Sequence, residues 1–438
     1  MEPTTIALLL LLAMVVMSFL GVHMAWAMGI GALLGLYLID GMGMVSMQFG
    51  EAAHKIVASY DLVTVPMFVI MGLFVAESGL GKDVFTAARL WLGKLPGGLA
   101  IATTVANALF GAASGSTSAA AALFSKLAYP EMKRYGYAKG LAAGCITAAG
   151  TLAAMIPPSI ALVVYGIVSN QSIGKLLIGG IIPGILQTGI FIILVIIWVK
   201  IKPSAAPRAI LGEKLRFKEK VIISGRVLPI LVIFFFAVAG IFFGIFTPTE
   251  GGAVGATAAL ATVLLMRRLS WESFKICLKE AAITTGMIML IVFGGYLFSR
   301  MLASSGLIKE VTQFLITLQV SKHLLFFLII LLLTLAGMLI VPIVMIVIFV
   351  PILLPPLVAL GYDPIWFGIM FTAMIEIAVI TPPVALNIFV VKAVLGKELT
   401  MGDIVNGTLP FIGASYVALI ILYLFPELST WLPSSMFK

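Results

Sequence analysis

The chain has 438 residues, of which 62% are hydrophobic and 10% charged. Its apolar runs are long enough to cross a bilayer core of about 30 Å, which excludes a soluble globular class and describes a polytopic, all-α membrane protein. The net charge of +9 gathers in a few short loops rather than on one soluble face, the positive-inside pattern, so no nucleic-acid partner is expected.

The opening segment "MEPTTIALLLLLAMVVMSFLG" has no Lys or Arg before Lys55. It lacks the basic region of a cleaved signal peptide and reads as a retained span near 4–21. Spans near 24–40 and 56–78 follow. "GKDVFTAARLWLGKLP" mixes basic residues with Trp and Phe at helical spacing and reads as an interfacial helix. A re-entrant hairpin is expected over 98–134. Its tip, "LFGAASGSTSAAAALFSK", places Ser114 and Ser116 around Gly115, and small residues there let backbones approach closely.

The next helix, near 138–169, is interrupted by Pro157 and Pro158. Each proline removes a backbone donor and crowds an upstream carbonyl, at a cost of roughly 3 kcal/mol. The flanking residues are as apolar as lipid, so the freed carbonyls must face protein, an ion or an internal cavity. A span near 176–199 comes next. Cys145 and Cys277 have no second Cys nearby and read as packing residues.

The segment Lys200–Arg226 holds eight basic residues against two acidic ones and is placed in the cytoplasm. Beyond it, spans are expected near 227–246, 250–266 and 280–302, then a second hairpin over 324–359, a second broken helix over 365–394 and a last span near 405–426. In "IFTPTEGGAVGA", Thr247 or Thr249 is expected to cap a helix, with Glu250 at its positive end. "RRLSWESFKICLKEA" takes the place of the first interfacial helix. "VITPPVALNIFVVKA" repeats the double proline at Pro382 and Pro383.

The offset is 382 − 157 = 225, and it recurs between Pro130 and Pro355 and between Gly136-Tyr137 and Gly361-Tyr362. One unit therefore occurs twice: a first repeat over 1–199, the cytoplasmic loop 200–226 and a second repeat over 227–438. Counting spans outward from the loop makes both termini external. The first hairpin then opens to the cytoplasm and the second opens outward, the inverted repeat of a secondary transporter whose site lies where hairpin tips meet helix breaks.

Hydroxyl and carbonyl oxygens at such breaks are hard ligands without fixed charge, suited to a monovalent cation, with sodium the natural candidate. Proton coupling would more often show a chain of Asp, Glu or His, and it stays open through Glu376. Glu376 either braces the second ion site or contacts the gate, or else it neutralises a basic side chain or holds helix geometry. Arg300 either attracts an anionic substrate or snorkels to the interface. Asn387 either points its amide at the site or packs. The sequences G-x-x-x-x-G-K-[ST], H-E-x-x-H and G-x-S-x-G do not occur, so neither ATP hydrolysis nor another enzyme activity is expected.

"GAASGSTSAAAALFSKLAYPEMKRYGYAKGLAAG", "TLAAMIPPSIALVVYGI", "SIGKLLIGGIIPGIL", "FTPTEGGAVGA", "GYDPIWFGIM" and "ITPPVALNIFVVKA" together resemble the large membrane subunit of the tripartite ATP-independent periplasmic (TRAP) transporters, the DctM-like family. The similarity runs in order over nearly the whole chain. It implies an inner-membrane protein that imports a small organic acid anion with sodium. It also implies a small four-helix membrane partner, a soluble periplasmic binding protein that delivers substrate, and an elevator motion of the hairpins and broken helices. By motif, the sodium sites fall on Ser114, Gly115 and Ser116 with Ile156, Pro157 and Pro158, and on Gly337 with Thr381, Pro382 and Pro383. Substrate contacts are expected at Ser116, Pro158, Asn387 and Arg300. The second half departs from the family pattern: Val341 stands where Asp is typical, Pro342 where Thr is typical and Ala385 where Gly is typical. A stand-alone carrier of the same two-hairpin architecture and a channel are the alternatives.

If the parity of the basic loops is right, a Ser204→Cys variant in intact cells resists a membrane-impermeant thiol reagent. Rapid labelling would invert the topology.

Overall fold

A computed structural model describes residues 1–207, 216–317 and 321–436, and every regular element among them is helical. Residues 208–215 of the basic loop and Lys438, both used in the charge count, lie outside the described residues. Among the described residues, five helices are long and apolar enough to cross a bilayer alone, including Trp271–Ser304 and Met401–Leu424.

Both hairpins form. The first has arms Gly98–Ser114 and Thr117–Arg134, the second Lys322–Gly337 and Pro342–Ala359. Each is followed by a broken helix. The first runs as Lys139–Ala149, Leu152–Met155 and Ile160–Ser169, the second as Pro364–Ile380 and Leu386–Leu395. The 225-residue register extends to the element ends, since 342 − 117, 359 − 134, 364 − 139 and 380 − 155 all equal 225. The peptide bonds Pro157-Pro158 and Pro382-Pro383 are both cis.

The halves interlock through exchanged partners. Ile160–Ser169 packs on the arm Pro342–Ala359 of the other half, and Leu386–Leu395 packs on the arm Thr117–Arg134. This exchange is what a pseudo-two-fold axis between inverted repeats produces.

Lipid tails are as apolar as leucine, so the hydrophobic effect does not drive one span onto another; close backbone approach and interhelical hydrogen bonds do. Lys139–Ala149 meets Met401–Leu424 across glycines: a Cβ on Gly144 would collide with the Gly407 carbonyl, and one on Gly407 with the Gly140 carbonyl. Elsewhere Gly72 lies against the Ser114 carbonyl, and Gly295 against Val347. Buried polar pairs tie spans together, Thr64 to Thr249 at 2.8 Å and Gln187 to Ser415 at 2.9 Å. Thr247 and Glu250 form a reciprocal capping box at the start of Pro248–Leu265, as expected.

Several elements differ from expectation. Residues 42–58 form a helix of their own, Met42–Ala58, bent by 58° from Asp61–Glu77, so the third span starts later than residue 56. The second interfacial segment is not separate. It opens the 34-residue helix Trp271–Ser304, roughly 50 Å long at 1.5 Å per residue. Its counterpart Leu80–Leu92 is stopped by Gly93, Pro96 and Gly97, whereas "KEAAITTGM" carries no such stop before Gly286. The span near 176–199 forms as Ile173–Ile201, with a single turn residue, Gly180, between Ile173–Gly179 and Ile181–Ile201. The span near 227–246 ends at Phe242 and contains a π-helical turn over Phe235–Ala239. Helices Leu307–Thr317 and Glu427–Ser434 were not expected.

Because Gly407 touches backbone rather than a flexible side chain, Gly407→Leu is expected to destabilise the protein by about 1–3 kcal/mol, read as a lower thermal midpoint in nanodiscs. A variant as stable as the wild type would show that these helices do not touch.

Candidate functional site

The two hairpin tips and the two breaks meet around a cavity of about 530 Å³, within the range of small-ligand sites. The first turns of four helices line it: Thr117 and Ser118, Ile160 and Ala161, Pro342 to Val344, and Leu386. An α-helix carries about half a positive charge at its N-terminus, where the first amides lack intrahelical partners. Four such ends facing one space favour an anion there.

The halves treat these ends differently. In the first half, Ser116 accepts a hydrogen bond from the Ala119 amide at 3.3 Å, and Ser159 accepts one from the Leu162 amide at 3.2 Å. In the second half, Val341 and Ala385 hold the cap positions and make no side-chain cap. Nothing on those two side chains answers the amides of the following turns.

The first-half residues come together. Gly115 takes φ +61°, and a Cβ there would lie 2.5 Å from the Pro158 carbonyl oxygen, so glycine lets tip and break touch. Ser114 is buried and its Oγ has no hydrogen-bond partner. Ile156 caps Leu152–Met155 and packs under Gly184, with Pro157 buried beside it. An unanswered buried hydroxyl and helix-break carbonyls are donors of the type a dehydrated sodium ion takes.

The second set is poorer in side-chain oxygen. Thr381 already donates its hydroxyl to the Ile377 carbonyl at 2.6 Å. Gly337 lies against Ala378 and the Met345 sulfur. Tip and break instead join through backbone, the Val384 amide donating to the Met338 carbonyl at 3.2 Å, with Pro382 and Pro383 between. Asn387 is fully buried and spans the halves: its Nδ2 donates to the Thr147 carbonyl at 3.3 Å, and its Oδ1 has no partner.

Arg300 is not in the central cavity. It donates to Glu51 at 2.5 Å and to the Tyr296 hydroxyl, and lines a separate cavity of about 320 Å³ with Lys55, Ser59 and Asn170. Sequence reasoning missed the opposite wall of the central cavity, where Ser18, His23, Thr284 and Met287 face the hairpins. Lone polar residues in apolar runs were the only signal for them.

A family model described as "Tripartite ATP-independent periplasmic transporter, DctM component" matches residues 11–428. The chain is similar to the C4-dicarboxylate TRAP transporter large permease protein DctM of Vibrio cholerae, with 31% identity over 97% of each chain. It is also similar to the ectoine TRAP transporter large permease protein TeaC of Halomonas elongata, 28% identical over 97% of this chain and 98% of that one. The isethionate TRAP transporter permease protein DctMQ of Oleidesulfovibrio alaskensis is 32% identical, over 94% of this chain and 64% of that protein. Among solved structures, the YdaH transporter of Alcanivorax borkumensis has the same fold, with a TM-score of 0.62 at 14% identity over 89% and 91% of the two chains.

Gly115→Ala puts a side chain where the Pro158 carbonyl sits and an L-residue at positive φ. The expected outcome is a stability loss of about 1–2 kcal/mol, seen as a lower unfolding midpoint; an unchanged midpoint would separate tip from break.

Proposed function

Because the chain belongs to the DctM component family of the tripartite ATP-independent periplasmic transporters, and so is the large permease of such a system rather than an enzyme, we propose that it imports a small organic acid anion by sodium symport. The observation that carries this reading is the convergence of four helix N-termini on one largely apolar cavity that includes the hydroxyl residues Ser116, Thr117 and Ser118, with no Lys or Arg among the described residues that line it. Fixed backbone dipoles attract an anion without burying a cation that would itself need pairing. The names of the similar permeases include C4-dicarboxylates, isethionate and ectoine, compounds that share an acidic group.

In this proposal sodium binds where Ser114, Gly115 and Ser116 meet Ile156, Pro157 and Pro158. It tightens the tip against the break and completes the anion site. The second sodium site uses backbone at Gly337, Thr381 and Pro382, and substrate contacts fall on Ser116, Pro158 and Asn387. Arg300, in its separate cavity, acts earlier on the anion's path. The hairpins and broken helices, 98–169 and 324–394, travel as one block past the helices near 4–40 and 227–266, and Gly72 and Gly295 meet the hairpins without side chains. A periplasmic binding protein delivers the anion, and a small four-helix membrane subunit, Q, braces the helices that stay fixed; the name of the DctMQ relative joins M and Q in one permease. ATP takes no part. The protein sits in the inner membrane among lipids, with both termini periplasmic. Receptor docking drives uptake only insofar as the receptor prefers the outward-open state.

A thermal-shift screen of the matched receptor against organic anions identifies the cargo. With that anion, the receptor and the small subunit in proteoliposomes, uptake is expected to need a sodium gradient, and Ser116→Ala to raise the sodium concentration required. Equal uptake in potassium-only buffer under a proton gradient would falsify sodium coupling.

A further inference from the structure

Glu376 stands in the wall of the central cavity, on Pro364–Ile380, about one turn and a half before the second break. It is 1% exposed, and neither carboxyl oxygen has a hydrogen-bond partner. The helices packed against Pro364–Ile380 offer it no counter-charge. Pro342–Ala359 and Leu152–Met155 carry no titratable side chain. The Tyr165 hydroxyl is spent on the Pro364 carbonyl, and Lys392 on the carbonyls of Gly396 and Leu399. Tyr416 bonds Thr334, His323 and Tyr423 bond each other, and Asp403 completes its own helix cap. Lys175, Lys322 and Glu427 sit in the first turns of their helices. Among the described residues that line the cavity, the one other titratable side chain is His23, whose Nδ1 accepts from the Ala25 amide.

An ionised carboxylate held here would be a buried charge without a partner, among the costliest arrangements in a membrane protein. It would also repel the anion that the four helix ends attract. Both difficulties vanish if the carboxyl keeps its proton, because the neutral acid has an O–H to donate. We propose that Glu376 is a substrate-contacting residue that works as a neutral acid, donating its proton in a hydrogen bond to the anion in the cavity. This rests on the anion reading above. The proton stays on Glu376, so no proton is transported with the anion. Glu376 thereby supplies, from the second half, the side-chain hydrogen-bond donor that Val341 and Pro342 at the facing tip lack.

The test compares the wild type with Glu376→Gln, which keeps a donor but cannot ionise, and Glu376→Leu, which keeps bulk without a donor. Infrared spectra of the purified proteins at neutral pH need no ligand. The wild type should show a protonated-carboxyl carbonyl band that shifts in heavy water and is missing from Glu376→Gln. In receptor-driven uptake of the anion found by the receptor screen, Glu376→Gln should keep a KM close to wild type, and Glu376→Leu should raise it. Absence of the band overturns the proposal, and so does a Glu376→Gln protein that folds normally but is as impaired as Glu376→Leu. If the wild type shows no receptor-dependent uptake, the transport reading falls instead, and the infrared band still decides the protonation of Glu376.

Discussion

Inside a bilayer no water answers a backbone amide or carbonyl, so each helix end within the membrane must find its partner in protein or cargo. This chain ends helices there on purpose, at two hairpin tips and two proline breaks, and brings those ends together. The rest of the molecule serves that arrangement. Close helix contacts such as Gly144 with Gly407 hold the interrupted helices in place, where a continuous span would rely on its own hydrogen bonds.

The exchange of partners between halves explains why neither half could build the site alone. Ile160–Ser169 rests on the second hairpin, Leu386–Leu395 rests on the first, and Asn387 bonds the Thr147 carbonyl across the divide. The second segment of each broken helix thus rests on the hairpin of the other copy, while its break meets the tip of its own.

Symmetry of backbone coexists with asymmetry of chemistry. Serines cap the cavity-facing helices of the first half, while Val341 and Ala385 leave those of the second without a side-chain cap. The second half contributes a carboxyl instead, at Glu376. One backbone plan, used twice, therefore presents hydroxyls from one side and an acid from the other.

Helix breaks and turns are written in single residues, and so they were legible: Pro157, Pro382, Gly115 and the Thr247–Glu250 cap mark in the sequence the places where the helices stop or start. Local backbone chemistry is enough to decide such points. The helix Met42–Ala58 and the fusion of an interfacial segment into Trp271–Ser304 were not legible, because an amphipathic stretch looks alike whether it lies on the membrane or continues into it. The cavity's far wall, at His23 and Thr284, the removal of Arg300 to a separate cavity and its pairing with Glu51 depend on which helices become neighbours. Neighbourhood between residues hundreds of positions apart is a property of packing, and only the folded chain decides it.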